Sequence, residues 1–431
     1  MSEQGGAVGT RPHVLFVSAD PVGETMAGLG IRCWELARAL APLASVTVAH
    51  GGREQGEHDG VRTLPFRPHA PGALREPIAR ADVVVAHPQW PLVDRWLRRS
   101  AARVVIDLYC PETLETLELG ASSSRVQRRQ LIATTLDRLH SALRTGHNFV
   151  CASETQRDLW LGTMLAQRLI GPQLYDRDPS LRETIDVVPF GAPSEPPPQR
   201  GAAGPRETIA GVDADSELVL WNGGIWRWLD AETAIRAVAE LASRRPKLRL
   251  VFMGGAPKHP AAAESTRAAR ALAAELGLLD SIVHFHDSWV PYGERGAWLA
   301  DADCALSAHA EHLETRFAYR TRVLDCFWAR LPVVCTSGDD LAELIERERL
   351  GAVAPPRDPH ALAAALAQVL DAGRDSYSDA LAAAAEQNSW ERVARPLARW
   401  IAAPRPDIRA GDTPGALRAP LAERLREVAY L

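Results

Sequence analysis

The chain has 431 residues, which is enough for two or three domains of ordinary size, each with a full hydrophobic core. Its 49 Lys and Arg residues against 54 Asp and Glu residues give a formal net charge of −5, which argues against a protein that coats nucleic acid. With 46% hydrophobic and 24% charged residues, the composition is that of a globular protein and excludes one that is mainly disordered.

Targeting signals and cysteine spacing predict a cytoplasmic protein. The first ten residues are small and polar, so they lack the apolar core of a signal peptide. No apolar run approaches the roughly 18 residues that a membrane-spanning helix needs. The six cysteines are scattered singly, without a Cys-x-x-Cys pair, a pattern typical of reduced thiols in cores. They are Cys33, Cys110, Cys151, Cys304, Cys326 and Cys335.

In the first half of the chain, short β-branched and aromatic runs alternate with helical patterns. The first strand is expected at 13–18, and a glycine-containing loop at 20–30 leads into a helix at 31–40. Further strands are expected at 45–50, 81–86, 103–108, 148–152 and 185–190, with a long helix at 122–145. This alternation predicts βαβ units and a doubly wound parallel sheet.

A stretch rich in Pro and Gly at 193–215 is predicted to be a linker, and beyond it the alternation restarts. Strands are expected at 217–221, 248–253, 282–286, 304–307 and 332–336, and helices at 231–243, 265–276, 361–370, 380–385 and 390–402. The predicted α/β architecture is therefore two Rossmann-like domains facing across a cleft, with functional residues on strand-to-helix loops. The expected domains are 1–192, joined by the helix at 389–402, and 216–388, followed by a tail at 403–431 with an amphipathic helix at 417–428.

In each half, one glycine-rich turn follows the first strand. Gly23–Gly30 has the spacing G-x4-G-x-G, which matches neither a dinucleotide-binding turn nor a P-loop, so it is either a tight turn or an anion site at a helix N-terminus. Gly223 and Gly224 would let the backbone approach a ligand closely, and Arg227 would serve a phosphate. The nearby Trp221, Trp226 and Trp228 are expected to be packing residues.

The densest group of ionisable residues lies at 307–325, directly after a predicted strand. So many charges at the carboxyl end of a strand are costly unless a ligand uses them. A zinc site is disfavoured because the spacing His-x2-His-x-Glu lacks a further histidine, and a solvated charged loop is the other alternative. The favoured interpretation is anion binding by the arginines, with Glu314 accepting hydrogen bonds from hydroxyls. The group comprises His309, His312, Glu314, Arg316, Arg320 and Arg322.

Three segments together resemble the GT-B-fold retaining glycosyltransferases of family 4. They are Glu314–Asp339, Asp186–Gly191 and Leu350–Leu366, within a likeness that covers about 13–402. The resemblance implies two Rossmann-like domains, with a nucleotide-sugar donor on the second and an acceptor on the first. It also implies that no cofactor and no metal are required.

The resemblance assigns roles to donor-binding residues. Glu314 would contact the donor sugar hydroxyls, Asp325 would hold the ribose hydroxyls, and the backbone at 319–321 would meet the diphosphate at a helix N-terminus. The remaining expected donor contacts are Gly28, Gly30, Gly224, Arg227, Trp289, Val290, Arg316, Tyr319, Arg320, Thr321 and Arg322.

The chain also departs from the family pattern. Ten residues separate Glu314 from Asp325, which is wider than the family's Glu-x7-Glu spacing, and Asp230 lies near the position of a usual lysine. The family's first-domain histidine is replaced at the strand that carries Asp107. Asp107 and His87 are therefore the candidates, beside Glu314, for the catalytic groups.

The expected function is the transfer of a sugar from a nucleotide-sugar donor to an acceptor, with retention at the anomeric carbon and without a metal. The acceptor class stays open between a saccharide, a lipid-linked and a small molecule. Two alternatives stay open as well: a nucleotide-sugar epimerase or pseudo-glycosyl coupling enzyme on the same fold, and a non-catalytic nucleotide-sugar-binding protein. No nucleic-acid partner is expected, and membrane contact would be peripheral at most.

Overall fold

The structure is a computed structural model that describes residues 11–199, 203–254 and 259–407, together with 409 and 412. The amphipathic helix expected at 417–428 lies outside these described residues. Within them, no helix combines the length and the apolar character that crossing a membrane requires.

The first half folds around an eight-stranded sheet with the order β3-β4-β2-β1-β5-β6-β7-β8, in which every pairing is parallel except β3 with β4. The short apolar runs form its buried centre, because a strand covered on both faces needs apolar side chains throughout. The strands are β1 His13–Ser18, β2 Ser45–His50, β3 Gly56–His58, β4 Val61–Pro65, β5 Val83–Ala86, β6 Arg103–Asp107, β7 Asn148–Cys151 and β8 Ile185–Val187. The helices are α1 Gly28–Leu40, α2 Arg75–Arg80, α3 Pro91–Arg99, α4 Glu112–Leu119, α5 Arg125–Thr145, α6 Glu154–Ala166 and α7 Pro172–Arg177.

The second half folds around a six-stranded, wholly parallel sheet with the order β11-β10-β9-β12-β13-β14. Its strands are β9 Glu217–Trp221, β10 Leu248–Phe252, β11 Val283–Phe285, β12 Cys304–Ser307, β13 Val333–Thr336 and β14 Gly351–Ala354. Its helices are α9 Ala231–Ala242, α10 Pro260–Glu275, α11 Arg295–Asp301, α12 Leu313–Phe317, α13 Arg322–Trp328, α14 Asp340–Glu348, α15 Pro359–Ala372 and α16 Ser378–Gln387. The prediction of two doubly wound parallel sheets is confirmed.

One hydrophobic cluster joins the two halves. It runs from Phe16 of β1 through Phe190 to Leu324 of α13 and Leu397, all buried. Each sheet has a second hydrophobic cluster on its other face, and all residues of that cluster belong to the same half of the chain as the sheet. The shared cluster includes Val290 and Val323, which also line the cleft between the two sheets, so continuous apolar packing extends to the cleft walls.

The chain returns to the first sheet at its C-terminal end through α17 Trp390–Val393 and α18 Arg395–Ala402. The Trp390 ring packs edge-on against Phe190, with 4.6 Å between ring centroids, and Arg399 pairs with Asp186 at 2.7 Å. The single helix expected at 390–402 is instead two, because a proline at the start of α18 supplies no backbone N–H. The domain limits at 192, 215 and 388 stay predictions.

The segment at 193–215 is anchored to the second half where it is described. It contains the short helix α8 Pro205–Thr208, and Arg206 forms ion pairs with Asp301 at 2.9 Å and Asp303 at 2.8 Å. All six cysteines are free thiols, and five of them are buried. A cytoplasmic location stays a prediction.

Candidate active site

A cleft lies between the carboxyl ends of the two sheets. Two adjoining cavities of about 410 and 350 Å³ occupy it, lined by loops that follow β1 and β6 on one side and β9 and β12 on the other. The walls touch at one edge, where the Tyr292 hydroxyl donates a hydrogen bond to Glu35 at 2.5 Å. Trp289 Nε1 likewise donates to the Glu24 carbonyl at 3.3 Å. Both halves therefore line the same cleft.

The N-terminus of α1 opens into this cleft. Ala27, Gly28 and Leu29 line the cleft, and no side chain among the described residues caps the helix. The free N–H groups of its first turn are therefore available to an anion. A Cβ at Gly28 would meet nothing within 4 Å, whereas one at Gly30 would lie 2.3 Å from the Pro21 carbonyl oxygen. Gly28 thus keeps space open in the cleft, and Gly30 is required by backbone packing instead of by a ligand.

Arg322 is the cation best placed to meet a diphosphate. Its side chain is 32% exposed and lines both cavities of the cleft. Gly223, with a φ of +147°, brings its backbone alongside, so that a Cβ there would lie 3.6 Å from Arg322 Cγ. Asp325 is 1% exposed and lies beside Arg322 at 3.9 Å and Arg295 at 3.1 Å. Asp325 therefore orients two arginines, and it does not line either cavity.

Glu314 is a buried carboxylate at the wall of the cleft. It sits in the short helix α12, within the stretch that the sequence predicts to be one loop. Its two oxygens accept hydrogen bonds from Arg320 at 3.1 and 2.8 Å. Arg320 Nε also lies 3.7 Å from Asp339 Oδ2. The charge of Arg320 is thus balanced by two close carboxylates, whereas the ion pair of Arg322 with Asp325 is longer, at 3.9 Å, so Arg322 is freer than Arg320 to meet an anion.

Burial and charge perturb the groups behind Glu314. Burial, opposed by Arg320, raises the pKa of Asp339 to about 6. Burial and the neighbouring guanidinium of Arg320 lower the pKa of His309 to about 3, so its ring is neutral at pH 7. Both ring nitrogens of His309 lack a hydrogen-bond partner among the described residues. No group of three His, Cys, Asp or Glu side chains in that part of the chain is arranged to hold a metal ion.

Two arginines expected at the donor lie elsewhere. Arg227 does not line the cleft; it faces a separate surface beside α9 and α10, with Glu264 at 3.7 Å. Arg316 is exposed and packs over Phe317, with 5.8 Å between the guanidinium and the ring centroid. The structure therefore does not bring Arg227 or Arg316 to the cleft, because spacing places a residue on a loop without fixing which way its side chain points.

The two first-domain candidates for catalysis also find structural partners. Asp107 is 3% exposed and forms a bidentate ion pair with Arg32, at 2.7 and 3.1 Å. His87 is 8% exposed, with Nδ1 3.2 Å from the Asp107 carbonyl and Nε2 3.6 Å from Cys33 Sγ. Asp107 therefore locks α1 to β6 and also lines a side cavity of the cleft, and a catalytic role for it stays a prediction. His87 lines a side cavity of the cleft.

The structure reveals two acids that sequence reasoning missed, Asp20 and Glu115. Both line the cleft and the side cavity. Burial raises the pKa of Glu115 to about 7, with the charge of Glu314 adding to the effect and Arg320 opposing it. Burial also raises the pKa of Asp20, opposed by His87. The ETLET run that contains Glu115 reads as an ordinary helical surface, so only the folded arrangement identifies it.

Most of the expected donor residues do meet in one place. Trp289 and Val290 line the cavity that Phe252 closes from the other side, and Trp289 remains 41% exposed. The predicted residues that the structure brings to the cleft are Gly28, Gly224, Trp289, Val290, Glu314, Tyr319, Arg320, Thr321 and Arg322.

Comparisons with known proteins agree with this architecture. Residues 216–372 match the family model described as glycosyl transferases group 1. A D-inositol 3-phosphate glycosyltransferase from Nocardioides is 29% identical over 235 residues, which cover 52% of this chain and 48% of the relative. The chain thus spans about half the length of that relative.

Solved structures match nearly the whole chain. Sucrose-phosphate synthase from Thermosynechococcus elongatus has a TM-score of 0.64 at 17% identity, covering 90% of this chain and 98% of that one. Anabaena HepE, in complex with UDP and glucose, has 0.63 at 16% identity, covering 91% and 99%. A trehalose-phosphate synthase from Burkholderia xenovorans, in complex with glucose 6-phosphate, has 0.65 at 13% identity, covering 91% and 100%. The chain therefore has the two-domain GT-B fold, and residues 216–372, within its second half, resemble the glycosyl transferases group 1.

Proposed function

We propose that the chain transfers a sugar from a nucleotide-sugar donor to an acceptor hydroxyl. The observation that carries the proposal is the convergence of Arg322, the uncapped N-terminus of α1 and Glu314 on one cleft. In a nucleotide sugar a polyhydroxyl ring is attached to a diphosphate. The diphosphate would meet Arg322 and the N-terminus of α1, and the sugar ring would meet Glu314. The group 1 match of the second domain supports the same conclusion.

The nucleoside would lie in the cavity bounded by Phe252, Val290 and Tyr292, whose apolar and aromatic surfaces suit a base. The diphosphate would bridge Arg322 and the first turn of α1, where fixed positive charge faces it without reorganisation. The donor sugar would then reach Glu314. Each carboxylate oxygen of Glu314 retains a lone pair beyond its bond to Arg320, so it still accepts a hydrogen bond from a sugar hydroxyl.

In the reaction, the bond between the anomeric carbon and the diphosphate oxygen breaks, and the nucleoside diphosphate leaves with the electron pair. The acceptor oxygen bonds to the anomeric carbon, and its proton passes to the departing diphosphate. Arg322 and the α1 N-terminus stabilise the charge that develops on the leaving group. We propose that these fixed groups suffice without a metal ion, and that the new bond retains the anomeric configuration.

The test is a screen of nucleotide sugars with a panel of acceptors. Released nucleoside diphosphate reports turnover, and NMR of the product reports its anomeric configuration. We expect product with the donor's configuration and activity that survives EDTA. Isomerised donor without a new glycoside would indicate an epimerase, and donor binding without turnover on any acceptor would indicate a binding protein. Either result would refute the proposed transfer.

A further inference from the structure

A side cavity of about 320 Å³ opens from the cleft into the first domain. It shares Asp20, Leu29, Cys110 and Glu115 with the cleft, so the two spaces are continuous. Glu115 lies at the junction, within electrostatic reach of Glu314 on the opposite wall. A molecule in the side cavity would therefore present one end to the site where the donor sugar is expected.

The chemistry of the side cavity suits a polyhydroxyl ring. Trp90 lines the side cavity and is 38% exposed, and the Arg138 guanidinium lies over its ring, 5.4 Å from the ring centroid. Gln89 and Thr113 add amide and hydroxyl groups to the lining. A wall that mixes one aromatic face with neutral hydrogen-bonding groups binds the apolar face and the hydroxyls of a saccharide or cyclitol.

The charges of the side cavity do not suit a phosphate. Arg138, the one Arg or Lys in its described lining, is already paired with Glu112. The carboxylates of Asp20 and Glu115 accept no hydrogen bond and form no ion pair with any described residue. A phosphate here would meet four acidic residues, Asp20, Asp107, Glu112 and Glu115, and no unpaired Arg or Lys among the described lining residues, whereas the donor side of the cleft has Arg322.

We propose that the side cavity binds the acceptor, that this acceptor is a polyhydroxyl compound without a phosphate group, and that Glu115 accepts a hydrogen bond from one of its hydroxyls. This inference rests on the proposed transfer reaction and names its acceptor class. The selectivity follows from charge: Asp20 and Glu115 accept hydrogen bonds from a hydroxyl or an amine, whereas a phosphate finds no unpaired Arg or Lys among the described lining residues and is repelled by the ionised fraction of these acids. The Burkholderia synthase, whose structure contains glucose 6-phosphate, would differ in this respect.

The experiment uses the full chain saturated with whichever nucleoside diphosphate raises its melting temperature. Glucose, glucosamine and myo-inositol are then compared with their phosphorylated forms, glucose 6-phosphate, glucosamine 6-phosphate and inositol 1-phosphate. Each compound is titrated separately, and the further rise in melting temperature is recorded against its concentration. We expect at least one phosphate-free compound to bind, with at least tenfold tighter apparent affinity than its phosphorylated partner. Glu115→Gln should weaken that binding at least fivefold, and the control Glu118→Gln on the same helix should not.

Tighter binding of a phosphorylated partner would overturn the inference, as would the absence of binding by all three phosphate-free compounds. Unchanged binding in Glu115→Gln would overturn the role of that residue. Circular dichroism of both variants checks that each is folded before binding is compared. Failure of the proposed function is a separate result, because the donor and acceptor screen described above would then show isomerised donor, or donor binding without turnover on any acceptor.

Discussion

Replacing Glu115 with Gln should stabilise the folded protein at alkaline pH and leave it unchanged at acid pH. Burial raises the pKa of this carboxyl from 4.5 to about 7. Because the folded state then holds a proton that the unfolded state releases, the free energy of unfolding falls as the pH rises between those two values. A difference of about 2.5 pH units at about 1.36 kcal/mol each amounts to about 3 kcal/mol above pH 7.

Urea unfolding followed by tryptophan fluorescence at pH 4, 6 and 8 measures this difference directly. The variant should exceed the wild type by about 3 kcal/mol at pH 8, by part of that at pH 6 and by about zero at pH 4. Glu118→Gln controls for the removal of a carboxylate from α4. A wild-type advantage that grows with pH, or a difference that is constant with pH, would show that Glu115 is not held in the destabilised, buried state described above.

Three further substitutions test the packing and the site. Gly191→Ala places a Cβ 2.6 Å from Trp390 Cδ2 and should lower the free energy of unfolding by about 1–3 kcal/mol. The control Gly72→Ala, whose Cβ meets no described atom within 4 Å, should leave it unchanged. Equal urea midpoints for the two variants would contradict the packing of α17. Asp107→Asn removes the countercharge of the buried Arg32 and should lower the free energy of unfolding, measured in urea, by about 3–5 kcal/mol. A variant as stable as the wild type but inactive would instead support a catalytic role for Asp107. Glu314→Gln should lower kcat by about 100-fold or more while nucleotide affinity changes little, and wild-type turnover would remove Glu314 from the reaction.

The fold was largely predictable because its signal is local. Strands β1, β5, β9 and β12 are mostly apolar runs, and burial on both faces is what such runs specify. The hairpin of β3 with β4 was missed because β3 is three residues long and largely exposed, and β4 buries only Val61 and Thr63, so neither strand is an apolar run. Helix α12 was missed for a related reason: its five residues are held by tertiary contacts more than by their own helical tendency.

The site was only partly predictable because side-chain direction and charge pairing are set by tertiary structure. Sequence spacing brings Arg316, Arg320 and Arg322 to the same stretch, but only the fold turns Arg316 to solvent and binds Arg320 to Glu314. The same limit applies to Asp107, whose partner Arg32 lies far away in the sequence on α1. Glu115 carries no motif at all, and its raised pKa arises from burial beside Glu314.

Donor binding by Arg322→Met, compared with Arg227→Met, tests the central claim most directly. Arg322 lines both cavities of the cleft, while Arg227 lies on a separate surface. A charge-assisted bond to phosphate contributes about 1.5–3 kcal/mol, so Arg322→Met should raise the Kd of the nucleotide sugar by about 10- to 100-fold in calorimetry. Arg227→Met should leave that Kd within about twofold of the wild type. Loss of donor affinity in Arg227→Met with normal affinity in Arg322→Met would contradict the site described here.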